Sequence, residues 1–137
     1  DLHSFPTRRS SDLEIYFNPN PCGRVVGDCA VRAICAALGL DWDQAHDLLS
    51  SFSKNMCDMS SSNQVTDAVL RANGFSKHII PDYCPSCYTA DDFCRDNPYG
   101  IFVLGFGTHI ATVIDGVIYD SWDSSKEIPI YFWHRPD

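Results

Sequence analysis

The sequence predicts an α+β domain of two layers, with a buried helix near its N-terminal end packed on a C-terminal antiparallel β-sheet. Three observations carry this. Between Cys29 and Leu38 only Arg32 is charged, the mark of a helix covered on nearly every side. Apolar residues recur at helical spacing in two further stretches of the first half, and short β-type runs fill the last third. Helices in one block and strands in another is the α+β order rather than βαβ alternation.

Residues 1–13 stand apart. Ser4-Phe5-Pro6-Thr7-Arg8-Arg9-Ser10-Ser11-Asp12-Leu13 is polar and unpatterned, and it resembles a translated sequencing adapter. It is read as adapter-derived or as a disordered arm, which leaves 14–137 as a single domain. Ile15-Tyr16-Phe17 is a short β-like run. Asn18 to Gly23 is turn-rich and is expected to cross near the start of the central helix. Gly27 breaks what precedes the helix, Asp28 is placed to cap it with its carboxylate, and Gly39 ends it.

Asp41 caps a second helix, Trp42 to Phe52, with Trp42, Ala45, Leu48 and Leu49 on one face. Ser53 to Ser62 reads as a loop. Ser62 or Asn63 caps a third helix through Arg71, with Val65, Ala68 and Val69 inward, and Asn73-Gly74 follows it. Lys77 to Ile80 is a strand stopped by Pro81. Thr89 caps a short helix, Ala90 to Arg95. Strands are then expected at Ile101–Leu104, His109–Ile114, Val117–Tyr119 and Ile128–Trp133. Asp115-Gly116 is the hairpin turn between the second and third of these.

Composition excludes several functions. The net charge is −8 and no basic stripe is visible, so neither nucleic acid nor an anionic membrane is an expected partner. No apolar run approaches the ~18 residues of a membrane span. Seven cysteines, an odd number with no secretory context, read as reduced thiols in a cytoplasmic protein. A monomer without cofactor is expected.

The chemistry concentrates in three residues. Cys29 sits in the first turn of the central helix, where the positive end of the helix dipole favours a thiolate. His109 opens a hairpin strand and Asp120 closes the return strand, so both strand ends emerge on one side of the sheet. A thiolate, an imidazole and a polar group behind the imidazole are the parts of a thiol hydrolase. The orienting group need only accept one hydrogen bond, so an amide at position 120 is expected to serve nearly as well.

A cysteine opening a buried helix, a later histidine at a strand start and then Asp120-Ser121-Trp122 resemble the papain-like cysteine peptidases. That superfamily carries Asn-Ser-Trp at its third catalytic position, with Asn or Asp allowed. The stretch Thr89–Leu104 is similar to the compact bacterial and phage branch, which includes the bacteriocin-processing peptidase-like domains. The likeness spans Asn18 to Trp122. It implies a papain-like fold and a Cys29–His109–Asp120 triad that cleaves a peptide, isopeptide or other amide bond through a thioester, with a protein or peptide as substrate. An acyl transferase is the nearest alternative. Papain has a glutamine six positions before its nucleophile to hold the oxyanion. Here that position is Gly23, and Asn20 of the same loop is the expected donor beside the Cys29 amide.

Cys84-Pro85-Ser86-Cys87 is the rival signal, because a Cys-x-x-Cys turn points two thiolates at one zinc ion. Cys57, Cys94 and His78 are available as further ligands, but no second Cys-x-x-Cys exists, and no metal is expected. The rival reading is a non-catalytic, zinc-braced module that binds a protein. Cys35 reads as core, Asp123 as a turn residue competing with Asp120, and His46 and His134 as surface residues.

Overall fold

The computed structural model describes the backbone of residues 8–11 and the full residues 14–81 and 88–136. The elements run β1 (Arg8–Ser11), β2 (Glu14–Tyr16), α1 (Cys29–Leu38), α2 (Trp42–Met56), α3 (Asn63–Ala72), β3 (Ser76–Ile79), α4 (Ala90–Asp96), β4 (Ile101–Gly105), β5 (Ile110–Ile114), β6 (Val117–Asp120) and β7 (Tyr131–His134). The strands form one sheet in the order β1-β2-β6-β5-β4-β7-β3. The α+β class therefore holds.

Three features depart from expectation. The sheet is not confined to the C-terminal part and not wholly antiparallel, because β2 pairs with β6 in parallel, Tyr16 beside Asp120. The backbone of Arg8–Ser11, expected outside the fold, pairs with β2 as an edge strand. The layers number three rather than two: α1, α2 and α3 cover one face of the sheet and α4 the other. Side chains alternate accordingly. Val103, Ile110, Tyr131 and Trp133 point to the α1 side, while Phe102, Leu104, Ala111 and Val113 pack with Ala90, Phe93 and Cys94 of α4. A strand covered on both faces reads as an unbroken apolar run, as Ile101–Leu104 does.

Local chemistry explains the element ends. Asp41 and Gln44 form a full capping box on α2, and Thr89 and Asp92 form another on α4. The Ser62 hydroxyl accepts from the Val65 amide to open α3. Helix α2 runs one turn past Phe52, to Met56. Gly39 ends α1 with φ +68°, a left-handed conformation that costs glycine little. Asp28 holds the N-cap position of α1, but its carboxylate makes no cap bond. It is drawn sideways instead, to Arg32 and to the indole N–H of Trp42.

Helix α1 docks on the sheet through a buried bond, from the Thr112 hydroxyl to the Ala33 carbonyl at 2.8 Å. The indole of Trp133 donates to Asp67 at 2.8 Å and fixes α3 against β7. His46 is exposed, as expected. His134 is half-buried rather than on the surface, with its ring stacked on Phe102 at 4.4 Å.

Candidate active site

Asp115 and Gly116 both have positive φ, 50° and 75°, the geometry of a two-residue type I′ hairpin. That turn fixes the register Ile114↔Val117 and Thr112↔Tyr119. The ring of His109, one residue before β5, thereby meets the carboxylate of Asp120 at the end of β6. His109 Nε2 lies 2.6 Å from Asp120 Oδ2. Strand β2 secures Asp120 from its other side, the Phe17 amide donating to the Asp120 carbonyl at 2.7 Å.

Cys29 is the first residue of α1, and its sulfur is hydrogen-bonded to the His109 side chain and to the backbone amide of Ile110. Since Nε2 faces Asp120, Nδ1 is the nitrogen toward Cys29. Burial pushes the Cys29 thiol up, but the His109 bond, the Ile110 amide and the charges of His109 and Arg32 outweigh it, and the thiol lies below its ordinary value. Burial pulls the His109 imidazole down, yet its bonds to Asp120 and Cys29 lift it to about 9. Both shifts favour thiolate and imidazolium. The contrast with Cys35 and Cys94 is direct: burial pushes each of those thiols up to about 12, as inert core residues.

The Asp120 carboxylate is 1% exposed and accepts four hydrogen bonds. His109 Nε2 and Ser124 Oγ (2.9 Å) meet Oδ2. The Ser121 amide (2.8 Å) and Arg32 Nη2 (3.3 Å) meet Oδ1. Ser124 is held in turn by Glu14, whose Oε2 accepts from its amide at 3.1 Å. Above the His109 ring sit Trp122, at 4.8 Å between centroids, and Phe106, at 5.9 Å.

An open cleft of about 240 Å³ exposes the pair, walled by Cys29, Ala30, Ser61, Asn63 and the stretch from Gly107 to Ile110. Asn20 is not in that wall. Its carboxamide oxygen is committed to its own loop, accepting from the Cys22 amide at 2.8 Å. The carboxamide that does border the cleft belongs to Asn63, whose Nδ2 donates to the Tyr131 hydroxyl at 2.8 Å. Asp123 is exposed and turns to the Ser125 amide, not to His109.

Sequence reasoning brought Cys29, His109 and Asp120 together and missed four contributors: Arg32, Asn63, Ser124 and Glu14. Asp28 and Arg32, four apart on one helix face, were the one signal in the chain that pointed to the buried pair. Cys84 and Cys87 of the proposed zinc turn lie outside the described residues. Among the described residues no group of three or more His, Cys, Asp or Glu is placed to hold a metal, and no helix is long and apolar enough to cross a membrane.

A thiol and imidazole biased toward an ion pair, at a helix N-terminus and open to a cleft, can attack an acyl carbonyl and return a proton to a leaving group. Comparison with protein-family models, with curated proteins and with solved structures finds no match for this chain.

Proposed function

We propose that the protein is a papain-like thiol hydrolase that cleaves a peptide, isopeptide or other amide bond. One observation carries the reading: the unbroken hydrogen-bonded line from Cys29 through His109 to Asp120, with the thiol lowered and the imidazole raised, at the wall of an open cleft.

The Cys29 thiolate attacks the carbonyl carbon and forms a C–S bond. Charge moves to the carbonyl oxygen, which the Cys29 backbone amide at the helix N-terminus is placed to stabilise. The tetrahedral species collapses, the C–N bond breaks and His109 gives its proton to the departing amine. Water, deprotonated by His109, then attacks the thioester and the free thiol leaves. Asp120 keeps the ring oriented and favours its charged form throughout.

The test is hydrolysis of a fluorogenic peptide-amide set by the wild type and by Cys29→Ala. The variant is expected to be silent and still folded, because deleting one sulfur at a partly open site costs about 1 kcal/mol or less. Turnover by the wild type that survives in Cys29→Ala overturns the assignment.

A further inference from the structure

The segment after β6 holds a buried hydroxyl that the chemistry above leaves without a role. Ser124 is fully buried, and its Oγ donates to Asp120 Oδ2 at 2.9 Å. That is the same oxygen that faces His109 Nε2 at 2.6 Å.

The main chain around Ser124 is held without the hydroxyl. The Ser124 amide donates to Glu14 Oε2 at 3.1 Å, and the Ser124 carbonyl accepts from the Glu127 amide at 3.0 Å. The next carbonyl, of Ser125, accepts from the Asp91 amide at the start of α4 at 2.9 Å. Glu14 is itself buried on β2, which lies parallel to β6 with Tyr16 beside Asp120. These bonds fix where Ser124 sits, and the hydroxyl is left to act on Asp120.

A donor on a carboxylate oxygen draws off negative charge and weakens the hold of that oxygen on a proton. Arg32 and the Ser121 amide already occupy Oδ1. Ser124 acts on Oδ2, the oxygen in contact with the ring. His109 has two opposed tasks. It must stay charged beside the Cys29 thiolate. Then, as the C–N bond breaks and its electron pair stays on nitrogen, it must give that nitrogen its Nδ1 proton. The more tightly Asp120 binds the charged ring, the weaker an acid the ring becomes.

We propose that Ser124 is a positioning residue for this reaction: its hydroxyl, set in place by Glu14, tempers the hold of Asp120 on the charged His109 ring, so that the ring can release a proton to the leaving amine. The inference rests on the thiol-hydrolase reading above.

The test is Ser124→Ala in the full chain. It leaves in place the charged groups about the ring, Cys29 from α1 and Asp120 from β6, with Arg32 behind Asp120 and Glu14 behind the turn. The first readout is the titration midpoint of the His109 ring by ¹⁵N NMR. The second is kcat/KM for a peptide amide and for the p-nitrophenyl ester of the same acyl group. The midpoint is expected to rise by about half to one pH unit. The amide rate should fall about threefold while the ester, whose leaving group needs no proton, changes little. Ser124→Cys keeps a weaker donor and should shift the midpoint the same way by less, and it reads the same quantity if Ser124→Ala does not fold. A midpoint that stays put or falls, or amide and ester rates that drop together, overturns the role of Ser124 alone. A wild type that cleaves neither substrate overturns the hydrolase reading, and this role with it.

Discussion

Arg32 reaches Asp120 across 88 positions of the chain, its Nη2 donating to Asp120 Oδ1 at 3.3 Å while its Nη1 holds Asp28. The guanidinium is 5% exposed and stands between two buried carboxylates. From Asp28 through Arg32, Asp120 and His109 to Cys29 the favoured charges alternate in sign. The ion pair at the cleft is thus the outer end of a row anchored in α1.

Removing the cation from that row leaves two buried carboxylates facing each other. Arg32→Met is expected to cost about 3 kcal/mol, which lowers Tm by on the order of 10 °C. Arg32→Lys is expected to recover only part of this, because one ammonium cannot fork between Asp28 and Asp120. Thermal unfolding followed by circular dichroism decides. A Tm unchanged in Arg32→Met contradicts the structural role given to the row.

At Asp120 the hydrogen bonds argue against the expectation that an amide would serve. With the imidazole charged all four partners are donors; the Ser124 hydroxyl can turn to accept, and His109 Nε2 accepts only if the ring is neutral with its proton on Nδ1. The amino group of an asparagine would face either His109 or the pair formed by Arg32 and the Ser121 amide. Asp120→Asn is expected to lose about 100-fold or more in kcat/KM, approaching Asp120→Ala. Asp123→Ala should stay within about twofold of wild type, as an exposed turn residue. Steady-state kinetics of the three variants on one amide substrate separate these outcomes.

The pH profile follows from the signs of the two shifts. Thiolate is lost as pH falls through the lowered Cys29 value, and imidazolium is lost as pH rises through about 9. Both are needed for turnover, so kcat/KM should be bell-shaped, with its alkaline limb near 9 rather than near the 6.5 of an ordinary histidine. An alkaline limb near 6.5 would show that Asp120 and Cys29 do not hold the proton on the ring.

Gly105 is tied to the cleft through Tyr131. A Cβ at Gly105 would fall 2.0 Å from the Tyr131 ring, whose hydroxyl holds Asn63. Gly105→Ala must push the ring aside, at a cost of about 1–3 kcal/mol, and shift Asn63 in the cleft wall. Urea unfolding should show the loss of stability, and kcat/KM should fall with it. A variant matching wild type in both would mean that the ring yields freely.

What the sequence made legible was local. The capping residues Asp41, Ser62 and Thr89, the Asp115-Gly116 turn and the apolar α1 each act within a few positions, and each took its expected form. The pairing of Cys29 with His109 and Asp120 was readable because a helix N-terminus and a tight hairpin fix where those side chains emerge. What stayed hidden was non-local. Parallel pairing of β2 with β6 joins residues about a hundred positions apart, and a three-residue strand carries no mark of its neighbour. Asp28 was taken as a cap because its competing partners, Trp42 and Arg32, declare themselves only once α1 and α2 are packed. Asn63 was taken as a helix-opening residue for the same reason: its bond is to Tyr131, 68 positions on. Asn20 was assigned by analogy of position, and its own loop claims its carboxamide oxygen instead.

The most direct test of the central claim is the rate at which iodoacetamide alkylates each cysteine between mildly acidic and alkaline pH, read by mass spectrometry in the wild type and in His109→Ala. Cys29 should react at lower pH than an ordinary thiol of pKa 9.0 and ahead of the other cysteines, while Cys35 and Cys94 stay unreactive throughout. His109→Ala should move the Cys29 profile upward toward that ordinary value. A Cys29 that reacts only at alkaline pH, or whose profile is the same with and without His109, contradicts the ion pair and the hydrolase built on it.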